Sequence, residues 1–98
     1  MLKSTSEIAS DLAARIKTRR LARGWSQEEM AERAGLKLGT YVLFERTGRV
    51  SFLRLLKILD VLGIAGEADQ IGRAEDLSQL SLSQLTQTER KRGRRRLA

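Results

Sequence analysis

Cysteine and histidine are both absent from this chain of 98 residues. Without thiols there is no disulfide, no cysteine nucleophile and no thiolate zinc site, and without imidazole the commonest general base is missing. A glycine-rich phosphate loop is also lacking, because the segment GEADQIG at residues 66–72 has no nucleotide fingerprint. We therefore expect a protein that binds rather than catalyses, with no catalytic residue, metal or cofactor.

Long apolar runs are missing as well. No stretch approaches the roughly 18 to 20 apolar residues that a membrane span requires, and residues 1–10 lack the hydrophobic core of a signal peptide. The length allows one domain with one modest core, for which an apolar fraction of 41% is sufficient. These features predict a cytoplasmic protein with no membrane partner.

Basic residues exceed acidic ones by 19 to 12, which gives a net charge of +7 and favours polyanionic partners. The excess is concentrated at the carboxyl end, where residues 89–98 carry one acid and six basic side chains: Arg90, Lys91, Arg92, Arg94, Arg95 and Arg96. The preceding 88 residues hold thirteen basic and eleven acidic side chains. The body of the protein is thus only mildly basic, and its composition alone does not identify a function.

Apolar periodicity predicts an all-α chain. Residues 1–7 are expected to form a flexible N-terminus, followed by a helix whose apolar face carries Ile8, Leu12 and Ile16 and which stops at Gly24. Another helix is predicted to open at a serine cap at Ser51. Its apolar set is Phe52, Leu55, Leu56, Leu59 and Leu62. A weaker helical turn is expected within residues 66–73, which closes the domain predicted at 8–73.

Between these helices lies the most specific pattern, SQEEMAERAGLKLGTYVLFERTG at residues 26–48. Ser26 and Glu29 have capping-box spacing, and Trp25 and Met30 occupy the positions of a hydrophobic staple. This predicts a second helix that begins at Ser26 and ends at Gly35, and a third helix over residues 39–46. Two short helices joined by such a tight corner are typical of a helix-turn-helix unit.

At residues 8–64 the chain resembles the Cro/cI repressor family, also called the Xre-type helix-turn-helix family. The resemblance includes the corner, the caps and the fourth-helix segment LLKILDVLG at residues 55–63. It implies a compact lambda-repressor-like domain of four to five helices with a flexible basic C-terminal tail. It also implies a homodimeric, nucleoid-associated repressor whose partner is double-stranded operator DNA.

The resemblance assigns roles to individual side chains. The expected base contacts lie at the start of helix two and on the exposed face of helix three: Gln27, Lys37, Leu38, Gly39, Thr40, Val42 and Leu43. The expected phosphate contacts are Arg20, Ser26, Arg46, Thr47 and Arg49. Arg20 and Glu45 match a pair that this family joins in a buried salt bridge.

Helix three departs from the family in being poor in side chains that discriminate bases by hydrogen bonds. Its expected groove face is largely apolar and offers contacts such as those with thymine methyl groups, so DNA shape is expected to supply part of the specificity. The same apolar surface is also compatible with a helix that has lost DNA binding and contacts a protein instead. Both interpretations stay open at the level of sequence.

A narrower likeness involves TYVLFERTGRVSFLRLL at residues 40–56, which resembles HipB-type antitoxins. That likeness implies a repressor of its own operon that also binds a HipA-like kinase toxin, with the leucine-rich arm at residues 77–85 as a candidate contact region. A phage or chromosomal repressor without a toxin is the alternative. Residues 74–98 are expected to form this arm and the basic tail, which is either a solvated end, a non-specific DNA clamp or a partner-docking extension.

Overall fold

The computed structural model describes residues 2–74, which contain five α-helices and no strand. The helices are, in chain order, α1 (Thr5–Ala22), α2 (Gln27–Ala34), α3 (Leu38–Thr47), α4 (Phe52–Val61) and α5 (Ala65–Asp69). The all-α fold is confirmed, as are the corner between α2 and α3 and the short fifth helix. None of the helices among these residues is long and apolar enough to cross a membrane.

The first helix begins earlier than the sequence analysis expected. Ser4 caps α1 by accepting a hydrogen bond from the backbone N–H of Glu7, and the Glu7 carboxylate accepts one from the Ser4 N–H. This reciprocal capping box satisfies two amide groups that a helix start would otherwise leave unpaired. The expected flexible N-terminus at residues 1–7 is therefore wrong for residues 5–7, which are helical.

One core is shared by all of the first four helices. Its buried side chains are Ala13 and Ile16 from α1, Met30, Ala31 and Ala34 from α2, Tyr41 and Phe44 from α3, and Ile58 and Leu59 from α4 with Leu62 just after it. The small alanines of α2 let α3 and α4 pack closely against it. As a result, α2 and α3 are fixed relative to each other by the same core that holds α1 and α4.

Two of the expected core positions are wrong. Ile8 is 54% exposed, because the buried face of α1 is set by Ala13, Ile16 and Arg20 and its apolar contacts begin only near Leu12. Phe52 is 63% exposed at the first position of α4, whereas Ile58, which lay outside the expected set, is fully buried. The inward face of α4 is thus rotated toward residues 58, 59 and 62.

Gly48 fixes how closely the end of α3 approaches α1. It adopts φ 81°, the left-handed conformation that favours glycine, and ends α3 by donating to the Phe44 carbonyl at 2.7 Å. A Cβ atom at this position would lie 2.7 Å from the backbone carbon and oxygen of Ala9. The sequence predicted that Gly48 closes the helix, but nothing in the sequence indicated this contact across the fold.

Candidate nucleic-acid interface

The corner between α2 and α3 is built by local hydrogen bonds. Ser26 caps α2, since its hydroxyl oxygen accepts from the Glu29 N–H at 3.0 Å. At the other end Gly35 takes the left-handed conformation with φ 69°, and the Leu36 N–H then donates to the Ala31 carbonyl at 2.8 Å. These bonds confirm the predicted helix and turn. The Glu29 carboxylate does not complete a capping box but accepts from Arg33 instead.

Helix α3 presents a largely apolar surface away from the core. Leu38 and Leu43 are 45% and 40% exposed, and the space where a Cβ of Gly39 would lie is open. Lys37 is exposed at the helix start, while Thr40 and Val42 are half-buried. The predicted base-contact positions of this helix are therefore accessible to different degrees, with Lys37, Leu38, Gly39 and Leu43 the most open.

A buried polar network connects α1, α2 and α3 directly behind this surface. The Arg20 guanidinium donates from Nε to Glu45 Oε2 at 2.7 Å and from Nη2 to Oε1 at 3.1 Å. Tyr41 donates its hydroxyl hydrogen to Glu45 Oε2, and Gln27 donates from Nε2 to Oε1 at 3.1 Å. The side chains of Arg20 and Glu45 are 6% and 3% exposed. The buried pair expected from the resemblance is thus confirmed, as the centre of a four-residue network.

Electrostatics keep this network in one protonation state. Burial raises the pKa of the Glu45 carboxyl, but the hydrogen bonds from Arg20, Tyr41 and Gln27 outweigh it and leave that pKa below its ordinary value. The hydrogen bond with Glu45 raises the pKa of Arg20, and burial is the main cause that raises the pKa of Tyr41. At neutral pH the network therefore consists of a carboxylate, a guanidinium and a neutral phenol.

Arg20 does not fit its second expected role as a phosphate ligand. Its Nη1 donates to the Trp25 carbonyl at 2.6 Å, so all three guanidinium nitrogens are bonded to acceptors within the protein. The residue as a whole is 5% exposed. The structure therefore assigns Arg20 an internal role, in which it ties the end of α1 to α3 and to the loop before α2.

The remaining expected phosphate contacts differ in whether their side chains are exposed and whether their polar hydrogens are already used in hydrogen bonds within the protein. Arg46 and Arg49 are exposed, and Ser26 is exposed with a hydroxyl hydrogen that its capping bond does not use. Thr47, by contrast, donates its hydroxyl hydrogen to the Leu43 carbonyl at 2.7 Å and accepts from the Arg49 N–H at 3.1 Å. Thr47 therefore orders the turn after α3, and Arg46 and Arg49 lie on either side of it.

Sequence reasoning missed a cationic cluster around Trp25. The guanidinium carbons of Arg33 and Arg23 lie 4.2 and 5.2 Å from the centre of the indole ring, within the range of cation–π attraction. Arg23 also donates to the carbonyls of Val61 and Leu62 at the end of α4. Trp25 is half-buried against the core, as its staple role predicted. No local pattern could have indicated the bonds from Arg23 to the end of α4, because the residues they join are 38 and 39 positions apart in the chain.

The basic tail at residues 90–96 and the leucine-rich arm at residues 77–85 lie outside the described residues. Within the described ones, the cations Lys37, Arg46 and Arg49 surround the exposed face of α3 without taking part in the network. The arrangement combines a rigidly backed helix, an apolar outer face and flanking cations.

The family model for helix-turn-helix proteins matches residues 16–67, which extend from the middle of α1 to α5. No curated protein matches the chain closely. Because the match covers more than half of the chain and coincides with the observed corner and its supporting helices, the chain belongs to the Cro/cI-type helix-turn-helix family of DNA-binding transcription regulators.

Proposed function

We propose that this protein represses transcription by binding, as a homodimer, to a roughly two-fold operator in DNA. The observation that carries the proposal is the position of Glu45, whose carboxylate holds Gln27 at the start of α2 and Tyr41 of α3 on one buried acceptor. Such a network fixes the two helices that, in a helix-turn-helix unit, lie over the DNA backbone and in the major groove. Preorganised helices bind DNA without a further ordering cost.

Phosphate contacts position the domain in this account. Arg46, Arg49 and the Ser26 hydroxyl are accessible, and the first backbone amides of α2 point out of a helix N-terminus, where a phosphate is favoured. We assign the base contacts to the exposed residues of α3 and to Gln27. The Gln27 side chain already donates to Glu45, so its second N–H and its carbonyl oxygen are the groups left for DNA.

The argument for a dimer is the small size of the DNA interface that one copy of the chain can form. A single α3 with two or three polar groups offers little affinity, whereas two copies with their α3 helices in successive major grooves, about 34 Å apart, double the contact area. A two-fold operator would then match the symmetry of the protein.

The finer proposal is that this repressor is the antitoxin of a HipA-like kinase operon, which it autoregulates and whose toxin it binds. Its support is the resemblance of residues 40–56 to HipB-type antitoxins. Co-purification of the full chain with the product of an adjacent kinase-like reading frame, and loss of that kinase's activity on mixing, are the expected results. A repressor that binds its operator but leaves such a kinase fully active would be a chromosomal or phage repressor without a toxin.

Hydroxyl-radical footprinting of the upstream promoter tests the repressor proposal. We expect two protected regions whose centres lie one helical turn apart, with protection that disappears on a scrambled duplex. Absence of any protected region at protein concentrations in large excess over the DNA would contradict the repressor proposal.

Surface variants distinguish DNA binding by the α3 surface from a protein-contact role of the same surface. Gln27→Ala is unsuitable alone, because it also removes a bond to Glu45. We expect the double variant Lys37→Ala/Arg49→Ala to lose the footprint with an unchanged fold, while Arg15→Ala, an exposed cation on α1, retains it. Absence of a footprint from wild type and from both variants would favour the adaptor role, whereas footprints that are identical in all three proteins would mean that Lys37 and Arg49 do not contact the DNA.

A further inference from the structure

The outward face of α3 is apolar over its first two turns. Gly39 and Leu43 are four residues apart and therefore lie on one face of the helix, opposite the buried Tyr41 and Phe44. Leu43 is 40% exposed, and the space where a Cβ of Gly39 would lie is open. Leu38, which is 45% exposed, extends this surface at the helix start. We call Leu38, Gly39 and Leu43 the apolar patch of α3.

The patch has no side-chain group that donates or accepts a hydrogen bond, since its members are two leucines and a glycine. Polar base edges pressed against such side chains lose hydrogen bonds with water and gain none in return. The one apolar substituent that the four bases present in the major groove is the methyl group on ring carbon C5 of thymine. The patch therefore fits a pyrimidine methyl group better than any other group on a base edge.

That methyl group is not unique to thymine, because 5-methylcytosine carries the same group on the same ring carbon. The two bases differ at the neighbouring position, where thymine has a carbonyl acceptor and 5-methylcytosine an amino donor. A side chain that forms hydrogen bonds distinguishes them there. A leucine does not, so the patch separates thymine and 5-methylcytosine together from uracil and unmodified cytosine.

The surroundings of the patch favour DNA as the molecule that covers it. Lys37 precedes the patch, and Arg46 follows Leu43 by one turn on the same face; neither forms an ion pair with any residue in the 2–74 range. Cations on both sides of an apolar surface match a groove with phosphates along its walls and methyl groups on its floor. Behind the patch, Glu45 holds α3 to α1 and α2. A missing methyl group therefore leaves a gap that movement of the helix does not fill.

We propose that α3 reads the C5 methyl group of pyrimidines, so that DNA containing 5-methylcytosine is a ligand of the apolar patch and cytosine methylation strengthens binding. The inference rests on the proposed binding of α3 in the major groove, for which it names the base chemistry that is read. One buried methyl group corresponds to about fourfold in affinity, and a dimer on a site methylated in both half-sites gains about fifteenfold.

Base substitution in the footprinted promoter tests the proposal with the full chain. At each protected pyrimidine the base is made thymine, uracil, cytosine or 5-methylcytosine in both half-sites, each with its complementary purine, and the dissociation constant is measured by fluorescence anisotropy. At positions that face the patch we expect thymine to bind about fifteenfold more tightly than uracil, and 5-methylcytosine about fifteenfold more tightly than cytosine.

The outcomes separate this inference from the repressor proposal. Cytosine and 5-methylcytosine duplexes that bind alike at every position, or methylation that only weakens binding, would overturn the inference even if uracil is discriminated from thymine. Preference for the promoter over a scrambled duplex would still stand in that case. Loss of that preference in the unmodified promoter would contradict the repressor proposal and the inference together.

Side-chain variants test whether the patch is the part that reads the methyl group. Leu43→Ala should bring the ratio between cytosine and 5-methylcytosine affinities close to one at the position it faces, with unchanged helical circular dichroism. Arg46→Ala is the matched control, because this exposed cation lies on the same face. It should weaken binding to all four duplexes by one common factor and preserve the ratio. A ratio that survives both Leu38→Ala and Leu43→Ala would overturn the assignment to the patch.

Discussion

At the scale of single residues, Glu45 is the acceptor on which the positions of three helices depend. Its two carboxylate oxygens accept hydrogen bonds from α1, α2 and α3, and its side chain is 3% exposed. A buried ion pair adds little net stability relative to an apolar pair of the same shape, but breaking it is costly because one charge remains unpaired. Glu45 therefore determines a specific arrangement of side chains more than it adds to overall stability.

Glu45→Ala should destabilise the fold by about 3–5 kcal/mol, since it leaves the Arg20 guanidinium buried without its counterion. Urea unfolding followed by circular dichroism measures the change. Glu32→Ala, at an exposed position of α2, serves as the control and should change the free energy of unfolding by less than about 0.5 kcal/mol. Equal effects of the two substitutions would be inconsistent with the buried pairing.

The same residue gives a pH dependence with a defined sign. The folded-state pKa of Glu45 lies below its ordinary value, so the unfolded chain takes up the proton first as the pH falls. Its contribution to stability is fully present above the unfolded pKa, near 4.3, and is lost as the pH drops through the folded pKa. The free energy of unfolding of wild type should therefore fall more steeply between pH 5 and 3 than that of Glu45→Gln. Parallel curves would show that the carboxylate is not held by the network.

At the scale of elements, the local signals were sufficient for the middle of the chain. Serine caps and glycine stops act within a few residues, so α2, α3 and their corner were predictable, and the Arg20–Glu45 pair followed from the resemblance. The register of α1 was not predictable from the sequence. Ile8 and Ile16 are equivalent in a periodic pattern, but only Ile16 is buried against other helices. The contacts of Gly48 with α1 and of Arg23 with the end of α4 depend on tertiary packing, which local sequence patterns do not predict.

Gly48→Ala tests the close approach of α3 and α1. The substitution combines left-handed strain with a clash against the Ala9 backbone and should cost about 2–4 kcal/mol. Gly63→Ala isolates the strain, because Gly63 has φ 74° but open space around its Cβ position, and should cost about 1 kcal/mol. Thermal unfolding of both variants gives the comparison. A Gly48 variant no less stable than the Gly63 variant would mean that the helices can separate freely.

The apolar surface of α3 predicts how bases are read. Replacement of a contacted thymine by uracil removes one methyl group and should weaken binding about fourfold, the equivalent of about 0.8 kcal/mol for one buried carbon. Uracil scanning of the operator measures this at every position. In Leu43→Ala the sensitive position facing that side chain should become insensitive. Uniform tolerance of uracil by a protein that still prefers its operator would assign the specificity to DNA shape instead.

At the scale of the whole molecule, the described residues carry the fold and the candidate interface, while the densest run of positive charge lies beyond them in the basic tail, residues 90–96. Two kinds of DNA affinity are therefore expected in one chain. We expect contacts made by α3 to depend on sequence, and charges in the tail to release counterions from any duplex and so to raise affinity without reading its sequence. Deletion of residues 89–98 separates the two contributions.

A salt-dependent titration tests this account most directly, with the full chain and the chain lacking residues 89–98 each measured against upstream promoter DNA and a scrambled duplex. The shortened protein should bind both duplexes more weakly by the same factor, show a shallower dependence on salt, and keep its preference for the promoter. Equal affinity of the full chain for both duplexes, lost when the tail is removed, would mean that the helix-turn-helix unit does not read DNA and would contradict the account.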